Sequence, residues 1–236
     1  MSEVKTILAI GAHPDDIEFG AGGILLKEKE SGARLQLLVC SKGESGSNGT
    51  PDQREAECRA ASTQLGAELQ FLDLGGDGLM ERGKEGALSI ARVIRSLRPD
   101  IVLAPSLVEN QHPDHAVIGN LVRDAARLAR YAGLDALKDL ASHSIESLYF
   151  YAITPGAEPQ AETPLCIDIS SVFDSWLQLM RCHASQMKTR HYVDLQVARS
   201  RSIGLQMGTE HAQAIYANDR LILETLSESP KGARTF

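Results

Sequence analysis

The stretch TILAIGAHPDDIE, residues 6–18, decides the fold, because an apolar run leads directly into a cluster of polar side chains. The run from Thr6 to Ile10 predicts a buried strand. A helix pattern from Ala21 to Ser31 and a second strand pattern from Leu35 to Cys40 follow it. A strand, a helix and a strand in succession are typical of a mostly parallel sheet that helices cover on both faces.

The same alternation continues along the chain. Helix patterns cover residues 53–65, 88–97 and 115–131, and strand patterns cover residues 69–74, 99–105, 145–151 and, less regularly, 164–169. We therefore predict an α/β protein with a Rossmann-like, doubly wound and mostly parallel sheet in the strand order 3-2-1-4-5. Beyond Val172 the pattern predicts helix to about Thr225 and then a polar tail.

Length and composition indicate one globular domain. The chain has 236 residues, of which 43% are apolar and 23% are charged, as is typical of globular proteins. We predict a single domain at 1–236, with a core at 1–151 and a mostly helical C-terminal extension at 152–236.

Composition also excludes several classes of partner. The formal net charge of -7 and the lack of a long basic run argue against a nucleic-acid binder. No apolar run approaches the roughly 18 residues that cross a bilayer, so we expect no membrane partner. The four cysteines have no C-x-x-C spacing, and the first residues lead straight into a strand pattern that leaves no room for a signal peptide. We therefore expect a cytoplasmic protein with reduced thiols.

Two clusters of histidine and aspartate lie about a hundred residues apart: one from His13 to Asp16 and one from His112 to His115. Imidazole and carboxylate groups bind zinc at neutral pH, and a catalytic site needs three protein ligands with one position left for water. The clusters hold more such groups than coordination needs. Asp15, His112 and Asp114 then remain as general base, as general acid and as support for a ligand, which predicts metal-assisted hydrolysis.

The predicted strand order gives the two clusters a reason to meet. In the order 3-2-1-4-5, strands one and four are neighbours, and ligands bind outside their carboxyl ends, where the winding reverses. His13 comes three residues after Ile10, and His112 lies in the loop that leaves the fourth strand at Pro105. We therefore expect both clusters at one site.

Four motifs occur in a specific order: Ala-His-Pro-Asp-Asp-x-Glu at 12–18, Gly-Glu-Ser-Gly at 43–46, Arg-x-x-Glu at 54–57 and His-Pro-Asp-His at 112–115. In types and order they resemble the LmbE-like, or PIG-L, family of zinc-dependent N-deacetylases, which includes the deacetylases of bacillithiol and mycothiol biosynthesis. The motifs cover about the first half of the chain. Farther on, the chain has His211 and Gln213 where the bacillithiol branch tends to carry tyrosine and Ala-Glu, so the substrate stays open.

The resemblance implies a role for each residue of the motifs. It implies that His13, Asp16 and His115 bind the metal and that Asp15 is the general base. His112 is then the acid or the oxyanion stabiliser, Asp114 is a supporting residue, and Arg54 contacts the substrate. It implies zinc as the cofactor, although one aspartate and two histidines also hold Fe²⁺ or another divalent ion. It further implies a small-molecule N-acetylglucosaminyl conjugate as substrate and a homo-oligomer, a trimer or a hexamer.

The implied reaction is removal of an N-acetyl group by metal-activated water. An amide carbon is a poor electrophile and its nitrogen a poor leaving group, so water must lose a proton while the carbonyl is polarised and the amine is protonated. Asp15 takes the proton in this scheme, and His112 stabilises the oxyanion.

Two other classes of function stay open. His13, Asp15 and His115 also spell the facial triad of a non-haem iron(II) oxygenase, although such enzymes usually have an all-β double-stranded helix. The other class is a non-catalytic, Rossmann-like module that binds a sugar or a nucleotide, in which the two clusters are mere loop residues. An inactive, metal-free protein with normal folding would favour that module.

Overall fold

The computed structural model describes residues 4–76, 78–110 and 112–233. Within these ranges, seven strands form one sheet: β1 (Thr6–Gly11), β2 (Arg34–Val39), β3 (Glu68–Phe71), β4 (Ile101–Pro105), β5 (Ser147–Tyr151), β6 (Leu165–Asp168) and β7 (Ala212–Ala217). The α-helices between them are α1 (Asp16–Glu30), α2 (Pro51–Leu65), α3 (Lys84–Leu97), α4 (Pro113–Arg130), α5 (Phe173–Arg181) and α6 (Tyr192–Met207). None of these helices is both long and apolar enough to cross a membrane.

The sheet is doubly wound, with strand order β3-β2-β1-β4-β5-β7-β6. The first five strands pair in parallel, and β7 is antiparallel to both β5 and β6. The predicted fold class and the central order 3-2-1-4-5 are confirmed. The order of winding reverses between β1 and β4, so a crevice opens beyond the carboxyl ends of these two strands.

The prediction of helix to about Thr225 is wrong beyond Met207, where residues 212–217 form β7. Helix α6 ends at Met207 because Gly208 takes a left-handed φ of 77°. The chain then folds back so closely that a Cβ on Gly204 would lie 2.7 Å from the carbonyl oxygen of Glu210. β7 enters between β5 and β6, where both neighbours pair with its backbone. This pairing outweighs the local helix preference of its alanines.

Helix α1 lies against the sheet below the crevice. Its residues 16–26 are all buried, and Gly20 permits the close contact, because a Cβ there would lie 2.2 Å from the ring of Tyr151. The sequence pattern predicts a helix that begins at Ala21, but α1 begins at Asp16. Its first turn therefore carries the last polar residues of the first motif into the floor of the crevice.

Candidate metal centre

The loop after β1 carries His13, and the loop after β4 with the first turn of α4 carries His112 and His115. Because these strands pair in parallel, their loops leave the same edge of the sheet. Nitrogen atoms of His13, His112 and His115 lie within 4.8 Å of one another. His13 and His115 are buried, whereas 34% of the His112 side chain is exposed.

Two ring nitrogens at this point have no hydrogen-bond partner among the described residues. The Nδ1 atoms of His112 and His115 are buried, and no atom of the described residues forms a hydrogen bond with either of them. A buried polar atom without a partner costs free energy. Imidazole nitrogens grouped in this way fit a divalent transition metal, which binds nitrogen and oxygen donors together.

Asp16 adds an oxygen atom to the three imidazoles. Its Oδ1 lies 3.1 Å from His115 Nε2, and its Oδ2 accepts hydrogen bonds from the backbone N–H groups of Ala12 at 2.9 Å and His13 at 2.8 Å. Burial opposes ionisation of this carboxyl group, but His115 and His13 hold its pKa well below the ordinary value. Asp16 is therefore an anion that the loop holds in one orientation.

Asp114 lies behind His13 on the other side. Its Oδ2 is 3.0 Å from His13 Nε2 and accepts a hydrogen bond from the backbone N–H of Gly78 at 2.7 Å. Burial raises the pKa of this carboxyl group, but the contacts to His13 and Gly78 outweigh burial and lower it. A carboxylate on one ring nitrogen fixes the tautomer of a histidine and leaves the other nitrogen for a metal.

Asp15 lies between His13 and the start of α1 in an unusual conformation. Its φ is 111°, a value that aspartate and asparagine tolerate better than most residues. Burial and the neighbouring Asp16 raise the pKa of Asp15 to about 7. A carboxyl group with such a pKa is suited to proton transfer near neutral pH.

The His112 ring is held less firmly than the other two imidazoles. Its Nδ1 is 4.0 Å from a carboxylate oxygen of Asp114, and its backbone N–H donates to Oδ1 of Asn110 at 3.2 Å. Burial and the nearby His13 and His115 lower its pKa. The ring is therefore uncharged near neutral pH in the metal-free protein.

Arg54 joins two loops beneath the cavity. Its guanidinium group donates to the carbonyl oxygens of Gly43 at 3.2 Å and Pro14 at 3.3 Å, and the side chain is buried. A Cβ on Gly43 would lie 1.7 Å from Arg54 Nη1, so the second motif needs glycine there. The structure places Arg54 in the cavity wall, where it also holds the loops together.

A cavity of about 720 Å³ opens above the centre. The sequence motifs supply its floor, but its outer wall includes residues from a region without a recognised motif, among them Thr154, Gln186, Arg190, His191, Tyr192 and Gln196. No local signal in the sequence marks these residues, because only tertiary packing brings the loop after β5, the α5–α6 connection and α6 to the cavity. His211, by contrast, stacks on Phe173 with ring centroids 3.9 Å apart and does not line the cavity.

A buried pair of a histidine and a glutamate lies inside the protein, next to the start of α1. His183 Nε2 is 3.2 Å from Oε2 of Glu18, and both side chains are fully buried. Burial lowers the pKa of His183, but Glu18 outweighs it and raises the pKa above the ordinary value. The last residue of the first motif thus has a buried histidine partner in the C-terminal third.

Comparisons of the sequence with known proteins find one matching family and several similar proteins. The family model PIG-L, described as GlcNAc-PI de-N-acetylase, matches residues 8–126. Diacetylchitobiose deacetylase from Thermococcus kodakarensis is 32% identical over 202 residues, which cover 78% of this chain and 71% of that protein. 4-Oxalmesaconate hydratase from Pseudomonas putida is 28% identical over 232 residues, which cover 90% and 87%.

A solved structure agrees with the fold. The crystal structure of a conserved protein from Thermus thermophilus superposes with a TM-score of 0.83 at 30% identity, and the match covers 97% of this chain and all of the other. The two named relatives differ in the reaction that their names state.

Proposed function

The chain belongs to the PIG-L family, and from that premise we propose that it is a metal-dependent N-deacetylase acting on an N-acetylglucosamine-containing small molecule. The observation that carries the proposal is the group of three histidine nitrogens and one aspartate oxygen at the floor of a cavity of about 720 Å³. The similarity to a diacetylchitobiose deacetylase supports the choice of bond and substrate class.

We assign the metal to His13, Asp16 and His115. Asp16 is fixed by two backbone N–H groups and His13 by Asp114, so both present a donor atom in a set direction. When bound, a divalent ion acidifies water and polarises the acyl carbonyl. Zinc suits nitrogen and oxygen donors, and Fe²⁺ suits the same set. The three histidines alone are the alternative ligand set, since their nitrogens are grouped as closely.

Asp15 moves the protons of the hydrolysis, and His112 stabilises the oxyanion. The Asp15 carboxylate accepts a proton from the attacking water, and it later returns a proton to the amine that leaves. His112 lines the cavity and is uncharged near neutral pH, so it contacts the carbonyl oxygen as a hydrogen-bond donor when that oxygen becomes an anion. Asp114 holds the imidazole of His13, and Arg54 holds the loops that carry Pro14 and Gly43.

The cavity favours a substrate larger than one sugar ring. Its volume is typical of pockets that bind drug-sized molecules, and polar side chains outside the four motifs, such as Gln186, Arg190 and Tyr192, also line it. The N-acetylglucosamine unit reaches the floor, and the group attached to it contacts this outer wall.

An assay of a substrate panel tests the proposal. The protein is loaded with zinc or with Fe²⁺ and incubated with N-acetylglucosamine, diacetylchitobiose and N-acetylglucosaminyl conjugates that have neutral or anionic substituents. Release of a primary amine and of acetate is measured. We expect release from the conjugates in the wild type and none in a His13→Ala/His115→Ala variant. A metal-loaded wild type that releases no amine from any compound would contradict the proposal.

A metal-dependent hydratase is a second candidate. The similarity to 4-oxalmesaconate hydratase over 90% of this chain favours it, and a metal-activated water and a base are also able to add water to a conjugated double bond. In the same preparations, 4-oxalmesaconate is supplied and the loss of its ultraviolet absorbance is followed. Turnover there without amine release from the panel would replace the deacetylase by the hydratase.

The remaining expectations stay predictions. They are a single domain over residues 1–236, a cytoplasmic location, and a homo-oligomer of three or six chains. The iron(II) oxygenase is disfavoured, because the parallel α/β sheet is not the all-β double-stranded helix of such enzymes.

A further inference from the structure

We propose that Asn110 and Thr154 form a positioning pair for His112, and that Arg199 fixes this pair from outside the cavity. The inference rests on the role proposed above for His112. Asn110 and Thr154 come from the loops after β4 and β5, and Arg199 is on α6. None of the three belongs to the four sequence motifs.

The first step is the contact between the two loops. The side-chain amide of Asn110 donates from Nδ2 to the hydroxyl oxygen of Thr154, and its Oδ1 accepts from the backbone N–H of His112 at 3.2 Å. Asn110 therefore uses both ends of its amide. One end fixes the backbone at His112, and the other attaches this backbone to the loop after β5.

The second step is the segment that carries Thr154, residues 152–158, which we call the wall loop. Ile153, Thr154 and Pro155 line the cavity. The backbone N–H of Ala157 donates to the carbonyl oxygen of Thr154 at 3.1 Å, and the N–H of Gly156 donates to Glu158 Oε2 at 2.8 Å. These bonds keep the loop compact but do not attach it to the rest of the protein.

Helix α6 supplies that attachment. Arg199 Nη1 donates to the carbonyl oxygen of Ile153 at 2.5 Å, and Nη2 donates to that of Ala152 at 3.3 Å and to Glu158 Oε1 at 2.5 Å. Gln196 Nε2 donates to the same Ile153 oxygen at 2.8 Å. One guanidinium group thus holds both ends of the wall loop. It lines a separate, smaller cavity and not the one above the metal centre.

Such positioning matters more for His112 than for its neighbours. Carboxylates lie 3.0 Å from His13 and 3.1 Å from His115, but the nearest carboxylate oxygen to the His112 ring is 4.0 Å away. The His112 ring therefore depends on its backbone for its place. A displacement of about 1 Å of a catalytic group lowers rates by roughly 10²-fold, so a loose backbone would reduce turnover without unfolding the protein.

Variants at Thr154 test the pair. Thr154→Val keeps the shape but removes the hydroxyl group, whereas Thr154→Ser keeps the hydroxyl group. We expect Thr154→Val to lower kcat on the best substrate of the panel by about 10-fold or more with a small change in KM, and Thr154→Ser to recover most of this loss. Equal kcat values for the valine and serine variants would overturn the proposal.

A double-mutant cycle separates positioning from direct contact with substrate. If Thr154 acts through His112, Thr154→Val will cause no further loss of kcat in a His112→Ala background. Full additivity of the two losses would overturn the proposal, because Thr154 would then act on the substrate by itself.

Arg199 is tested against its neighbour on the same helix. Arg199→Met should lower kcat as Thr154→Val does, and the two losses should not add. Arg201→Met is the matched control, because Arg201 donates to the carbonyl oxygen of Glu210 and not to the wall loop, and it does not line the cavity. Equal losses for the Arg199 and Arg201 variants, or a loss that follows the melting temperature alone, would overturn the role of Arg199.

A spectroscopic measurement is independent of catalysis. In metal-free protein with labelled histidines, the ring signals of His112 should be single in the wild type and broadened or doubled in Thr154→Val and Arg199→Met. The His143 signals serve as the internal control. Unchanged His112 signals in both variants would overturn the proposal. If the wild type shows no deacetylation, the deacetylase assignment fails, and these signals still decide the positioning.

Discussion

The Nε2 atom of His13 lies 3.0 Å from a carboxylate oxygen of Asp114, although 101 residues separate the two in the chain. The same oxygen accepts a hydrogen bond from the backbone N–H of Gly78. Asp114 therefore connects the loop after β1, the start of α4 and the segment before α3. A carboxylate in this place orients a metal-binding imidazole and raises its basicity.

Replacement of that carboxylate should weaken metal binding. Asp114→Asn keeps an oxygen for Gly78 but loses the charge, so we expect zinc affinity to fall by about 10–100-fold. Competition with a chromophoric chelator measures it. Asp124→Asn is the control, because Asp124 lies on the same helix and pairs with Arg82 at the surface. Equal affinities for Asp114→Asn and the wild type would show that Asp114 does not support a ligand.

Removal of the proposed base should separate chemistry from metal binding. Asparagine tolerates a positive φ, so Asp15→Asn should keep the fold and the metal. Its rate should fall by ~10²–10⁴-fold, because no carboxylate accepts the proton of water. Metal content and deacetylation rate are measured on the same preparations. Turnover near that of the wild type would exclude Asp15 as the base.

Metal content of four alanine variants decides between the two ligand sets. We expect His13→Ala, Asp16→Ala and His115→Ala to lose the metal, and His112→Ala to retain it while turnover falls. Plasma mass spectrometry after dialysis against metal-free buffer gives the occupancy. Loss of metal from His112→Ala with retention in Asp16→Ala would assign the site to the three histidines.

Gly20 should tolerate no larger residue. A Cβ there would lie 2.2 Å from the Tyr151 ring, so Gly20→Ala must displace α1 or the ring. Such overpacking typically costs about 1–3 kcal/mol of unfolding free energy. Gly133→Ala is the control, because no atom of the described chain lies within 4 Å of its added Cβ. Urea unfolding measures both, and equal midpoints would contradict the close contact of α1 with β5.

The Glu18–His183 pair should make stability fall as pH rises. The pKa of His183 is raised in the folded protein above the ordinary value of 6.5, since Glu18 favours the charged ring despite burial. Its contribution is therefore complete below about pH 6.5, the unfolded value, and is lost as pH rises through the folded pKa.

Urea unfolding of the metal-free protein from pH 5 to 9 measures this dependence. His183→Gln should flatten it, and His191→Gln should not, because His191 is 94% exposed. A slope that is the same in the wild type and His183→Gln would assign the pH dependence to other groups.

Much of the fold could be predicted from local patterns. The first five strand patterns are short runs between turn signals, and α3 and α4 show apolar residues at helical spacing, so the central order followed from general rules of α/β topology. The start of α1 and the strand β7 could not be predicted. The glycines among residues 20–23 lower the local helix propensity, and tertiary packing stabilises the helix there. The alanines of β7 favour a helix, but pairing with two neighbouring strands outweighs that preference.

The sequence by itself determined which chemical groups are present and that two of the motifs follow the ends of strands, because both are properties of short segments. Only the tertiary structure decided what completes the site: the contact of Asn110 with Thr154, the wall formed by α6, and the buried partner of Glu18. These contacts join residues 44 to 165 positions apart. They depend on how helices pack on the sheet, and no local spacing or propensity encodes that packing.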